Sequence, residues 1–329
     1  MENVVFGGGG THGFMYIGAL LGLFKGSPDA YRRWQRGLKS VAGTSIGALV
    51  GYLVTMWDPA RILTFMKTAG FASVRKHLFD QDLMRIATAK AVNSGTELNR
   101  LLREGVMLSS GSEETTFAQL YRLTGITFVV AVTSSATGQT RFWSHANMPH
   151  LPVWKAIRAS VSIPFVFPEF EIGGVRYIDG GMTCNVPCHL FPAEQTLVLY
   201  VQARRPAGLT PITLIDLYMN AAQLGSFRVE PLYALNSIPC VPAADSVSPY
   251  TFGASNAELD ALVGQGIRSW QAVVRRNKLM VLTVQLTQLL WRAGGAGAKT
   301  VRALGPLLTP RVLTFCPAEE LEAGALSGT

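Results

Sequence analysis

Five residues near the start of the chain, Gly43-Thr44-Ser45-Ile46-Gly47, constrain its folding more than any other stretch. Val41-Ala42 leads in like the end of a buried strand, and Ala48-Leu49-Val50-Gly51-Tyr52-Leu53 follows as a helix would. The spacing G-x-S-x-G between them has a physical cause. A serine on a sharp strand-to-helix turn has a strained backbone and an exposed Oγ. The residues two before and two after it come so close that only small side chains fit. The helix that begins there aims its N-terminal partial positive charge at the reacting oxygen. Taken alone, the pentapeptide reads equally as an ordinary glycine-bounded turn, so other loops decide.

Val4-Val5-Phe6 reads as a short buried strand running into Gly7-Gly8-Gly9-Gly10-Thr11-His12-Gly13, with a helix expected from Phe14 to about Lys25. Consecutive glycines ahead of a helix expose several N–H groups toward one point, which makes an anion cradle. Two anions fit that description. Gly8-x-Gly10-x-x-Gly13 formally matches a dinucleotide fingerprint, although Asp29, near the ribose-acid distance, falls in the turn Gly26-Ser27-Pro28-Asp29 and not at a strand end. No Gly-Lys-Ser/Thr follows, which excludes a nucleotide P-loop. The other reading is an oxyanion hole serving Ser45. A second strand near Lys39 to Ala42, parallel to the first, would bring both loops to the same C-terminal sheet edge.

Ile126 to Thr133 is continuously apolar and β-branched, so a central strand is expected, with Phe142-Trp143-Ser144 as a shorter one. Pro152 to Ala159 reads as a helix. Gly173-Gly174 then makes a hairpin turn, and the next strand ends on Asp179-Gly180-Gly181. A carboxylate at a strand end, beside glycines that admit another loop, suits a catalytic role. The same residues also make a plain Asp-Gly turn. Residues 58 to 125 read as mostly helical, with Asp58-Pro59 as a helix start, a short helix over Thr96 to Leu102 and a polar loop from Ser109 to Thr116. They form either a helical layer on the sheet or a lid.

Together these loops resemble the patatin-like phospholipase family, lipid acyl hydrolases with a Ser-Asp dyad. The glycine motif appears as Gly8 to Gly13, the nucleophile motif as Gly43 to Gly47, and the acidic motif as Asp179-Gly180-Gly181. Arg158-Ala159-Ser160 through Ile163-Pro164 and Phe167-Pro168 also matches, as do Asn185 and Pro187. The resemblance covers about residues 3 to 195. It implies an α/β fold, three-layer α/β/α with a central, mostly parallel sheet. It also implies Ser45 as nucleophile, Asp179 as base, and the N–H groups of Gly8, Gly9, Gly10 and Ile46 around the oxyanion, with no cofactor and no metal. His12 departs from the family's usual Arg or Lys. A rival Ser-His-Asp triad would take His189, only ten residues after Asp179 and without a late loop of its own. A catalytically silent lipid-binding protein on the same fold is the alternative of a different class.

Net charge is +8 with only 15% charged residues, a basic, apolar-leaning balance that favours an anionic membrane surface. No run of five or six basic residues and no nucleic-acid motif occurs, so no nucleic-acid partner is expected. The expected partner is phospholipid or another lipid ester, at a peripheral membrane surface. Four cysteines, Cys184, Cys188, Cys240 and Cys316, complete no zinc pattern and suit a reducing, cytoplasmic compartment. Neither a secretory signal nor a spanning helix is expected. The expected division is a catalytic domain over 1–270, with a late helix from Ser255 to about Trp270, and a C-terminal helical extension over 271–329. Within that extension Leu279 to Trp291 is an apolar stretch suited to docking or to a membrane surface.

Overall fold

In the computed structural model, residues 1–67, 91, 93–202, 229, 231–243, 245–249 and 254–293 are described. Phe71, Val74, His77, Leu78, Leu83 and Cys316 lie outside them, as does the glycine run after Ala293. The chain divides into two compact units, residues 1–269 and 270–329.

The first unit is built on a mixed, mostly parallel sheet flanked by helices. Its strands are β1 (Asn3–Phe6), β2 (Ser40–Thr44), β3 (Thr127–Ser134), β4 (Thr140–Trp143), β5 (Phe170–Ile172), β6 (Val175–Asp179), β7 (Thr196–Val201) and β8 (Ser237–Cys240). β8, β7, β1, β2 and β3 are parallel neighbours, while β4 and β6 pair antiparallel with β3. β3 is central, as its apolar run predicts. β8 escapes a sequence reading because Pro239 sits inside it; as the last strand of the order, it tolerates a residue without an N–H.

The helices are α1 (Phe14–Leu23), α2 (Pro28–Arg36), α3 (Ile46–Met56), α4 (Pro59–Phe65), α5 (Thr96–Ser110), α6 (Phe117–Thr124), α7 (Val153–Ser160) and α8 (Asn256–Ala293). α3 is apolar on all sides and buried from Ile46 to Thr55, as a helix packed between other layers requires. Asp58 caps α4 by accepting the Arg61 N–H at 3.0 Å, with Pro59 in the first turn. α5 continues well past Leu102, so the polar loop before Thr116 begins only at Gly111. Its mid-helix Gly105 is explained by Phe65, whose ring would meet a Cβ there at 2.9 Å. The late helix and the apolar stretch after it are one element, since α8 is helical through Ala293.

One feature of the register brings the far-apart loops together. Val130 and Ala131 of β3 pair with both β2 and β4, whereas Val132 and Thr133 pair with both β4 and β6. A strand has two edges, and β4 takes one along this whole stretch. β2 and β6 therefore share the other edge, end to end. They run toward each other and stop at consecutive β3 residues, Thr44 opposite Ala131 and Asp179 opposite Val132. Residues next to each other on a strand are about 3.3 Å apart, so the two strand ends nearly touch.

Candidate active site

Ser45 follows Thr44 at this meeting point. Its backbone is left-handed, φ 55 and ψ −129, although it carries a side chain. That strain is held by close contact on both sides. A Cβ on Gly43 would run into the carbonyl of Gly47, and one on Gly47 into the carbonyls of Phe6 and Gly7. The turn therefore packs directly against the end of β1, where the glycine loop begins.

Ser45 Oγ donates to Asp179 Oδ2 at 2.6 Å, and Asp179 Oδ1 accepts the Gly181 N–H at 2.7 Å. Both side chains are buried, at 5% and 2% exposure. Burial pushes the Asp179 carboxyl up to about 7, and the hydrogen bonds from Ser45 and Gly181 offset that only in part. A carboxylate poised near neutrality, joined to a hydroxyl on a strained turn, is an arrangement for moving a proton off that hydroxyl.

The glycine loop lies beside this pair. A Cβ on Gly8 would sit 3.4 Å from the Ser45 Cβ. The Gly8 N–H, however, donates to the Asn185 carbonyl at 3.0 Å, so it is engaged and not offered to a ligand. The N–H groups of Gly9 and Gly10 have no acceptor among the described residues, and Ile46, first residue of α3, has no intrahelical acceptor for its own. Gly10, Ser45 and Ile46 line one pocket that opens to solvent. Its other walls are Leu49 of α3, Leu98, Leu101 and Leu102 of α5, and Val161, Ile163 and Phe167. The α5 residues recur at one-face helical spacing.

Several supporting side chains had roles that the sequence did not assign. Ser160 Oγ accepts the Ser45 N–H at 2.8 Å and donates to the Ala131 carbonyl at 2.7 Å, joining the turn to β3. Asn185 meets both the glycine loop and Gly181. Tyr16 donates to the Gly7 carbonyl at 2.9 Å. Arg158 is buried, and burial lowers its guanidinium to about 10. It donates to Asn99 Oδ1 at 2.8 Å and Ser162 Oγ at 2.6 Å, and so fixes the segment that supplies Val161 and Ile163 to the pocket. The sequence marked this segment only through its resemblance to a family pattern.

The rival histidines fall elsewhere. His189 is exposed with its ring against Phe142 at 5.5 Å, and His145 stacks on Tyr121 at 3.9 Å. Asp29, the ribose-acid candidate, is exposed on α2 and paired with Arg32 at 3.0 Å. Cys188 is a buried thiol, and burial raises Cys184 to about 12 and Cys240 further, which keeps those two thiols protonated near neutral pH. Among the described residues no helix is long and apolar enough to cross a membrane.

Comparison with known proteins gives three kinds of match. A family model described as patatin-like phospholipase matches residues 4–192. An uncharacterized protein of Acanthamoeba polyphaga mimivirus is 24% identical over 195 residues, covering 58% of this chain and 61% of that protein. Triacylglycerol lipase 5 of Saccharomyces cerevisiae is 25% identical over 174 residues, covering 50% of this chain but only 22% of the lipase. The chain thus spans less than two thirds of the length of either relative. The crystal structure of VipD from Legionella pneumophila superposes with a TM-score of 0.51 at 15% identity, covering 84% of this chain and 67% of that one, a likeness of fold.

Proposed function

Because the chain belongs to the patatin-like phospholipase family, we propose that it is a lipid acyl-ester hydrolase working through Ser45 and Asp179. The observation that carries this reading is the 2.6 Å hydrogen bond from Ser45 Oγ to Asp179 Oδ2, beside a glycine loop and at the mouth of an apolar pocket. Ser45 Oγ attacks the ester carbonyl as its proton passes to Asp179. The tetrahedral oxyanion is held by the N–H groups of Gly9, Gly10 and Ile46, with Gly8 supporting the loop from behind. Asp179 then protonates the departing alkoxide, the ester C–O bond breaks, and the acyl group remains on Ser45. Water, deprotonated by Asp179, releases the fatty acid and restores the hydroxyl. The apolar pocket takes the acyl chain.

The substrate class within this reading is a phospholipid, cleaved in the manner of a phospholipase A2 or lysophospholipase. The yeast triacylglycerol lipase among the relatives makes neutral glycerides the competing substrate. Residues 1–270 carry the chemistry, and 271–329 form an extension for docking or for a membrane surface. Net charge +8 and the exposed apolar side chains Met107, Leu108 and Phe165 support peripheral contact with an anionic bilayer. The test is fatty-acid release from phospholipid vesicles and from a triacylglycerol emulsion by the wild type, Ser45→Ala and Asp179→Asn. Release by the wild type and loss in both variants supports the reading. Release retained in either variant removes the dyad.

A further inference from the structure

The two halves of the glycine loop are held by different means. Its first half is tied to the core: Gly7 N–H donates to the Leu199 carbonyl at 2.9 Å, Gly8 N–H to Asn185, and Tyr16 Oη reaches back to the Gly7 carbonyl. The second half, which carries Gly10 into the pocket, meets a segment from far along the chain. Thr11 N–H donates to the Pro249 carbonyl at 2.8 Å, and His12 Nε2 lies 2.8 Å from the Val247 carbonyl. Two carbonyls of this segment thus meet donors on two consecutive loop residues. Gly10 permits this approach, since it has φ +52 and a Cβ there would collide with the Pro249 carbonyl.

The segment is itself anchored. Gln265 of α8, buried at 7% exposure, accepts the Ala243 N–H at 3.2 Å and the Ser246 hydroxyl at 3.0 Å through one oxygen. A path therefore runs from Gln265 of α8 to Ser246, along the chain to Val247 and Pro249, and by their carbonyls to the loop beside Ser45.

The chemistry of His12 follows from its partners. A ring nitrogen facing a carbonyl must be the donor, so Nε2 carries the proton. Nδ1 is buried with no hydrogen-bond partner among the described residues. The neutral ring leaves it a bare acceptor, whereas protonation would bury a charge and an unanswered N–H. Burial lowers the pKa of His12 accordingly.

We infer that His12 is a positioning residue: its neutral imidazole clamps the second half of the glycine loop onto residues 245–249, holding Gly9 and Gly10 in place before substrate arrives. This rests on the hydrolase reading for its catalytic consequence, but not for the clamp itself. A preformed donor set costs no reorganisation at the moment of reaction, so a slack loop lowers turnover more than it weakens ground-state binding.

The experiment compares wild type, His12→Leu, His12→Gln, Gln265→Leu and the His12→Leu/Gln265→Leu double variant. Two readouts are taken: kcat and KM on a soluble short-chain ester, and amide hydrogen exchange of residues 9–13. The clamp predicts that His12→Leu lowers kcat by roughly 10–100-fold with KM little changed, and speeds exchange in the loop. His12→Gln, which keeps a neutral N–H donor, recovers most of both. Gln265→Leu, far along the path, shows a smaller loss of the same kind, and the double variant falls no further than His12→Leu, because the two act on one path. Wild-type kcat and unchanged exchange in His12→Leu would overturn the inference, as would losses that multiply in the double variant or no recovery with Gln. Should His12→Leu not fold, Gln265→Leu carries both readouts with the loop's own residues intact. If the wild type itself turns over no ester, the hydrolase reading fails, and exchange alone decides the clamp: faster in Gln265→Leu and His12→Leu supports it, unchanged overturns it.

Discussion

Asp179 is a carboxylate that the fold makes uncomfortable. With its carboxyl raised to about 7 from an ordinary value of 3.8, the native state binds a proton that the unfolded chain has already lost across that interval. The sign follows directly: the contribution of Asp179 to stability is greatest below about pH 4 and diminishes as pH rises to 7, above which the buried charge is a standing cost. Asp179→Asn should therefore raise Tm relative to the wild type at pH 8 and change it little at pH 4, measured by thermal unfolding at both values. Activity runs the other way, since only the ionised carboxylate accepts the Ser45 proton. kcat/KM should climb about tenfold per unit below pH 7 and level off above it. A flat profile between pH 5 and 8 would contradict the assignment. Ser160 gives a separate test at this scale. Ser160→Ala leaves the Ser45 N–H and the Ala131 carbonyl without their shared partner, at a cost of about 1–3 kcal/mol in chemical denaturation. Stability unchanged in that variant would mean the strained turn does not depend on this hydroxyl.

At the scale of elements, the site is a product of strand geometry. The strand before the glycine loop, the parallel partner that leads to Ser45 and the strand that ends on Asp179 were all legible from apolar runs and glycine punctuation. Their end-to-end meeting on one edge of β3 was not, because no local pattern records which edge an antiparallel strand takes. Nor were Ser160, Asn185 and His12 assignable to roles, since each acts through a partner from 29 to 235 residues away. The fate of individual loop donors was equally hidden: four glycines in a row look alike, and only the Asn185 carbonyl distinguishes Gly8 from Gly9 and Gly10. The pocket belongs to this scale too, with α3 and α5 as its walls. Leu102→Trp should narrow it and lower kcat/KM for a long-chain ester by roughly 10-fold against a butyryl ester, since hydrophobic pockets discriminate by about 1–3 kcal/mol per methylene. An unchanged ratio of the two esters would place the acyl chain elsewhere.

The whole molecule is basic and rich in apolar residues, and at this scale the expectation concerns surfaces. Attraction between net charge +8 and an anionic bilayer is screened within about 10 Å at moderate salt. Binding to vesicles containing anionic lipid should weaken steadily as salt is raised and be poor on uncharged vesicles, measured by co-sedimentation. Equal binding to both kinds of vesicle would leave the charge without a role at the membrane. Composition suggested this behaviour from the outset, but it could not locate a membrane-facing surface. That depends on which apolar side chains the fold leaves outside, Phe165 among them, held at φ 65 between pocket residues. The expectations about turnover presuppose that the hydroxyl and the carboxylate work as one unit. The most direct measurement is the phosphonylation of Ser45 by a fluorophosphonate, in which Oγ bonds to phosphorus and fluoride leaves, followed by intact mass. The wild type should gain a single adduct, and Ser45→Ala none. Asp179→Asn should react at least ~10³-fold more slowly. An adduct on Ser45→Ala, or undiminished labelling of Asp179→Asn, would contradict the account.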